Sequence, residues 1–306
     1  MFLTLNPYRA LLGAANKRHP RLGGGRQPTC LGINACSGSV LERGSPLVEA
    51  YIRRVTFDVP AGAYARFMGR YSEPLAVRFA ELAHVRAGDR ALDVGCGPGA
   101  LTAQLVDRLG AGAVSAIDPS ASFVAAIKAR FPEVDVHSGV AEHLPFPDDS
   151  FDLAFAQLVV PFMCDPVSGL LEMARVTRQG GLVAACVWDH AGGGSPLTTF
   201  LRAVHDVTPG ARDEAEVAGA REGHLAELCE AAGLGNLQAT TLTVKVQFTT
   251  FADWWEPFTL GVGPAGAHVA QLDEGSRDIL QARCAQLLPA APFEVAASAW
   301  CVLARA

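Results

Sequence analysis

The sequence predicts an α/β fold, a three-layer sandwich around a mostly parallel sheet, and two observations carry the prediction. The first is a rhythm. Short apolar runs near 90–95, 113–118, 133–137, 151–157 and 182–188 read as strands, and helical patterns near 100–110, 120–130 and 166–178 separate most of them. A βαβ alternation requires parallel strands covered by helices on both faces. The second is the turn Asp93-Val-Gly-Cys-Gly-Pro-Gly99, which leads from the first strand into the helix near 100–110. Gly95, Gly97 and Gly99 permit positive φ and let a ligand lie against bare backbone around Cys96. The free N–H groups of the following helix face the same point, so the turn reads as a nucleotide cradle.

The remaining elements follow in order. Residues 1–54 hold eight Lys/Arg and two acids, a net +6, which leaves −12 on 55–306 out of −6 overall. That Arg-rich, acid-poor stretch, with its Gly23-Gly-Gly25, is expected to be disordered or a non-native N-terminal extension, and its composition is also that of a transit peptide. From about Val55 the pattern becomes coherent, and 55–306 is read as one domain. Residues 64–71 and 73–83 show apolar faces at helical spacing and are read as two helices. Helical patterns at 196–207 and 222–233 precede a long strand at 237–248, and a last strand occupies 293–303. Between them, residues 249–292 form an insertion with a helical stretch near 273–287.

Composition narrows the class. Half the residues are apolar and 18% are charged, as in an ordinary globular protein. The longest apolar run, 153–164, is shorter than the roughly 20 residues a membrane helix needs. An acidic body is a poor partner for nucleic-acid phosphates. Six cysteines are scattered singly without any C-x-x-C, and Cys30 and Cys36 lack histidine neighbours, so no metal site is expected and a reduced, cytoplasmic protein is.

Gly95, Gly97 and Ala100 loosely satisfy the G-x-G-x-x-G/A dinucleotide pattern. A pyrophosphate, however, would sit badly beside the Asp93 carboxylate, whereas the ammonium and sulfonium groups of S-adenosylmethionine (SAM) are cationic. Asp118, nineteen residues after Gly99, ends the second strand, where a carboxylate can accept both hydroxyls of an adenosine ribose. Its plainer reading is a helix N-cap, since Pro119-Ser120 follow.

Three segments carry a resemblance: Leu92-Asp-Val-Gly-Cys-Gly-Pro-Gly99, Ala141-Glu-His-Leu-Pro-Phe-Pro-Asp-Asp-Ser-Phe-Asp152, and Glu172-Met-Ala-Arg-Val-Thr-Arg-Gln-Gly-Gly181. In these the chain resembles the class I SAM-dependent methyltransferases, in particular the small-molecule group with the ubiquinone and menaquinone enzymes (the methyltransferase type 11 domain). The resemblance implies a Rossmann-like, seven-stranded sheet with an antiparallel seventh strand, N-terminal helices, core motifs within 88–188, and a helical cap at 249–292 where relatives have a short hairpin. It implies SAM contacts from Asp93, Gly95, Cys96, Gly97 and Gly99 at the methionine end and from Asp118 and Pro119 at the ribose. Ala141 and Glu142 would border adenine, and Gln157 would face the methyl group. Where many relatives place an acid for the adenine amino group, this chain has Val140.

The (Asp/Asn)-Pro-Pro-(Tyr/Phe) signature of base and amide methylation is missing at 158–162, and so is any Pro-Cys nucleophile motif. The expected acceptor is therefore a small organic molecule rather than a nucleic acid, and apolar or aromatic if Trp254, Trp255 and Phe258 line its pocket. His190, beside Asp189 after the fifth strand, stands where a general base would stand; the plainer reading is a solvated turn. Tyr71, Trp254, Trp255 and Phe258 are expected either to line the acceptor pocket or to form the core of the insertion. Two rival classes remain: a non-catalytic SAM-binding regulatory or scaffold protein, and an NAD(P)-dependent oxidoreductase.

Overall fold

The computed structural model describes residues 59–208 and 214–306; the N-terminal extension expected at 1–54, with Cys30 and Cys36, lies outside the described residues. Seven strands form one sheet: β1 (Ala91–Val94), β2 (Val114–Asp118), β3 (Asp135–Ser138), β4 (Phe151–Gln157), β5 (Thr177–Trp188), β6 (Gly235–Phe248) and β7 (Phe293–Arg305). Their order is β3-β2-β1-β4-β5-β7-β6. The first five are parallel, and β7 runs antiparallel between β5 and β6. The sheet is the one expected.

Strands β1, β2 and the stretch Leu182–Trp188 of β5 are buried at every position, because helices cover both faces. Side chains alternate between two cores. Leu75, Phe79, Leu105, Phe155 and Phe200 belong to one, and Leu92, Ile117, Leu170, Met173 and Val187 to the other. Helices start on polar caps: Ser120 accepts from the Phe123 N–H, and Asp165 from the Ser168 N–H at 3.2 Å. Strand order reverses between β1 and β4, the usual place for a ligand crevice outside the carboxyl ends.

Two expectations change. The N-terminal helices are one continuous run: α1 (Ala61–Tyr64), a π-helical turn Ala65–Gly69, and α2 (Arg70–Leu82). Pro74, which has no N–H for the Arg70 carbonyl, lies inside α2, and the run continues through it. The insertion is also more helical than its pattern, with α8 (Phe251–Trp255), a 3-10 turn Glu256–Leu260, α9 (Gly263–Gln271) and α10 (Glu274–Leu287). The other helices are α3 (Ala100–Leu109), α4 (Ala121–Arg130), α5 (Pro166–Val176), α6 (Thr198–Val207) and α7 (His224–Ala231). Among the described residues no helix is long and apolar enough to cross a membrane.

Phe155 is fully buried and meets Phe79 edge-on at 5.6 Å. Phe155→Ala is expected to cost about 3–5 kcal/mol in denaturant unfolding. Ile279→Ala, at a side chain 62% exposed, is expected to change stability by about 0.5 kcal/mol or less.

Candidate functional site

The glycine turn is held by the tip of β2. The N–H groups of Gly95 and Cys96 donate to the Ile117 carbonyl at 2.8 and 3.1 Å, and the Gly99 N–H donates to the Cys96 carbonyl at 3.0 Å. All three glycines have positive φ: 66° at Gly95, 53° at Gly97 and 93° at Gly99. Space separates their roles. A Cβ on Gly95 would come within 2.2 Å of Val159 Cγ2, so that glycine is required by the fold itself. A Cβ on Gly97 would meet no atom within 4 Å, which leaves a concave, bare stretch of backbone above the turn.

Two buried carboxylates flank this hollow. The Asp93 side chain is 1% exposed and accepts from Thr102 Oγ1 at 2.6 Å, a bond that ties β1 to the first turn of α3. Burial, aided by the charge of Asp118 and opposed by Thr102, pushes its carboxyl up to about 7. Asp118 is 6% exposed; Oδ2 accepts from the Gly97 N–H and Oδ1 from the Ser120 N–H, each at 2.8 Å. Burial raises it too, against those two bonds. The N-cap of α4 is Ser120, so the capping role read for Asp118 falls to its neighbour. Among the described residues neither carboxylate has a cationic partner. Tyr64 packs edge-on against Phe123 at 5.5 Å, and burial together with Asp118 raises its phenol.

The other expected contacts lie around the same edge. Cys96 is buried in the turn with its thiol pushed well up by burial, and Pro119 is exposed. Past β3, Val140 is 47% exposed, an apolar wall open to solvent, while Ala141 is buried beside it. Glu142 Oε1 accepts from the Asp165 N–H at 3.1 Å and so serves the start of α5. Gln157 ends β4, where its Nε2 donates to the Ser72 carbonyl at 3.1 Å. His190 takes a different neighbour from the one sequence offers. Asp189 is occupied by the Gly192 N–H at 2.7 Å and the Trp300 indole at 3.2 Å, and His190 Nδ1 lies 3.3 Å from Glu214 Oε2.

The four aromatic side chains considered for an acceptor pocket are core in this structure. Tyr71, Trp254, Trp255 and Phe258 are each no more than 5% exposed. Phe258 stacks on Phe200 at 4.5 Å, meets Phe67 edge-on at 4.9 Å and tilts against Trp254 at 4.7 Å. What remains among them is a cavity of ≈ 10 Å³, about the space of one water. Rings of this size gain most from burial against one another, so the insertion seals over the edge of the sheet. A larger cavity of ≈ 420 Å³ lies between Arg86, Asp152, Arg178 and Arg305, at the amino ends of the parallel strands and away from the glycine turn. Among the described residues no group of His, Cys, Asp or Glu is placed to hold a metal ion.

Residues 92–185 match the family model described as a methyltransferase domain. Over this segment the chain is similar to methyltransferase domains. Trans-aconitate 2-methyltransferase of Rhizobium rhizogenes is 33% identical over 125 residues, 40% of this chain and 48% of the relative. Demethylmenaquinone methyltransferase of Beutenbergia cavernae is 42% identical over 96 residues, 31% of this chain and 39% of the relative. The chain spans about half the length of the curated relatives it matches. The YcgJ protein of Bacillus subtilis shares the fold, with a TM-score of 0.51 and 20% identity over 77% of this chain and 97% of that one.

The residues of segment 92–185 fit SAM. Two buried carboxylates without counter-cations beside an open glycine backbone suit a ligand carrying positive charge and hydroxyl donors, and they disfavour a pyrophosphate. Thr102 and Val159, which set the carboxylate and the glycine in place, carry no motif of their own; only the strand–turn–helix geometry reveals them. Gly95→Ala is expected to lower stability by about 3 kcal/mol or more. Gly97→Ala should cost only about 1–2 kcal/mol while weakening SAM binding at least about tenfold, as read by unfolding and by calorimetry.

Proposed function

We propose that this chain is a SAM-dependent methyltransferase acting on a small, apolar or aromatic organic acceptor. The observation that carries the reading is the pair of buried carboxylates, Asp93 and Asp118, on either side of the glycine turn, neither with a cationic partner among the described residues. Bound SAM would supply a methyl group already activated on a sulfonium centre. The chain's own work is then alignment and exclusion of water, effects that contribute roughly 7–11 kcal/mol in well-oriented reactions. In this reading Asp118 holds the ribose hydroxyls, the Gly95–Gly99 backbone and Asp93 hold the methionine end, and Ala141, Glu142 and Val140 border adenine. Gln157 stands at the methyl position. His190, with Glu214 at its ring nitrogen, would take a proton where the acceptor must lose one.

A second reading has an observation in its favour. The sealed aromatic cluster, with its cavity of ≈ 10 Å³, suits a SAM-binding protein without catalysis. Deuterated SAM incubated with the protein and a metabolite extract separates the two by mass spectrometry. A product heavier by one labelled methyl supports the transferase; SAM binding without any such product supports the non-catalytic reading. Binding of NADH in place of SAM would remove both.

The raised carboxyl of Asp93 makes SAM binding depend on pH. Below about 7 the group holds its proton, and the cationic ligand prefers the ionised form. Affinity is therefore expected to rise as pH goes from 6 to 8, by up to about tenfold. Asp93→Asn should flatten the profile. Calorimetry across that range checks both.

A further inference from the structure

A second set of buried polar atoms lies along the carboxyl edge of the sheet, apart from the two carboxylates. Ser72 Oγ, Gln157 Oε1, Trp188 Nε1 and Thr198 Oγ1 have no hydrogen-bond partner among the described residues. A buried polar atom left open costs about 1–3 kcal/mol, and native proteins leave few of them. Three of the four are brought together by the sheet and the helix over it. Gln157 pairs with Cys186, so Gln157 and Trp188, two residues further along β5, share one face of the sheet. The start of α2 covers both: Gln157 Nε2 donates to the Ser72 carbonyl, and the Tyr71 ring meets the Trp188 ring edge-on at 6.5 Å. Leu197, the residue before Thr198, borders the same small cavity as Tyr71.

We propose that these four atoms are the acceptor's hydrogen-bonding site and that the acceptor presents a hydroxyl group, so that oxygen is the atom methylated. The inference rests on the transferase reading. Trp188 Nε1 can only donate, and Gln157 Oε1, with its own amide nitrogen committed to Ser72, can only accept. The group between them must therefore accept one bond and donate another. A hydroxyl does both and keeps a second lone pair for the methyl carbon. An amine has one lone pair, which a bond from Trp188 would occupy, and a carbon nucleophile satisfies neither partner. The Ser72 and Thr198 hydroxyls can turn to serve either role. In the transfer a carbon–oxygen bond forms as the methyl carbon's bond to sulfur breaks, and the hydroxyl proton passes to His190. Entry requires the aromatic seal to part. Two ion pairs hold it at the surface, Arg70–Asp253, each side chain 32% exposed, and Arg66–Glu256 at 3.7 Å, with Arg70 also 5.1 Å above the Phe248 ring.

The test combines stability with chemistry. Ser72→Ala together with Thr198→Val removes two open hydroxyls at nearly constant size. The melting midpoint of the SAM-free double variant is expected to stay level or rise by a few degrees, while methyl transfer falls at least about tenfold. A midpoint lowered by several degrees, or transfer left unchanged, overturns the proposal. Carbon-13 NMR of the product made by wild-type protein from methyl-labelled SAM and a metabolite extract locates the methyl. A methyl on oxygen supports the proposal. A methyl on nitrogen or carbon overturns it and leaves the transferase reading intact, whereas SAM binding with no labelled product overturns the transferase reading itself.

Discussion

The structure turns on an electrostatic debt: two carboxylates are held within the protein beside a backbone loop, with no positive side chain among the described residues to neutralise them. Asp93 and Asp118 are each less than a tenth exposed, and the charge of Asp118 adds to the cost of ionising Asp93. The fold tolerates this through short bonds. Thr102 steadies Asp93, and the Gly97 and Ser120 amides steady Asp118. Those bonds satisfy part of each carboxylate and leave further lone pairs open. Charge, shape and open lone pairs converge on one kind of ligand.

Much of this was legible in the chain before any coordinates. The sheet could be read because β1, β2, β4 and β5 are nearly unbroken apolar runs, the mark of strands buried on both faces. The glycines announced the cradle, because only a turn with positive φ wants three of them in five residues. Sequence could not say that Gly95 answers to Val159 and Gly97 to a ligand, since both have the same composition and differ only in what stands beyond them. Nor could it find the partner of His190, which is Glu214 rather than adjacent Asp189.

The aromatic side chains show a deeper limit. Trp254, Trp255 and Phe258 have the composition of a pocket wall and of a core alike, and burial alone distinguishes the two. In the structure they close over the carboxyl edge together with Phe67 and Phe200. Of the open polar atoms only Gln157 could be singled out in the sequence, through the resemblance; Ser72, Trp188 and Thr198 share no motif with it. Their common feature is the absence of a partner, which exists only in three dimensions.

The placement of this aromatic seal has a kinetic side. Strands β6 and β7 pair along most of their length, yet residues 249–292 separate them. Closing so long an excursion costs about 2–3 kcal/mol more than a two-residue hairpin would. Collapse of the rings around Trp254 and Phe258 shortens the effective loop and offsets that entropy. Zipping of the outermost strands and formation of the roof over the binding edge thus become a single cooperative event during folding, and a chain weakened in one will assemble the other late.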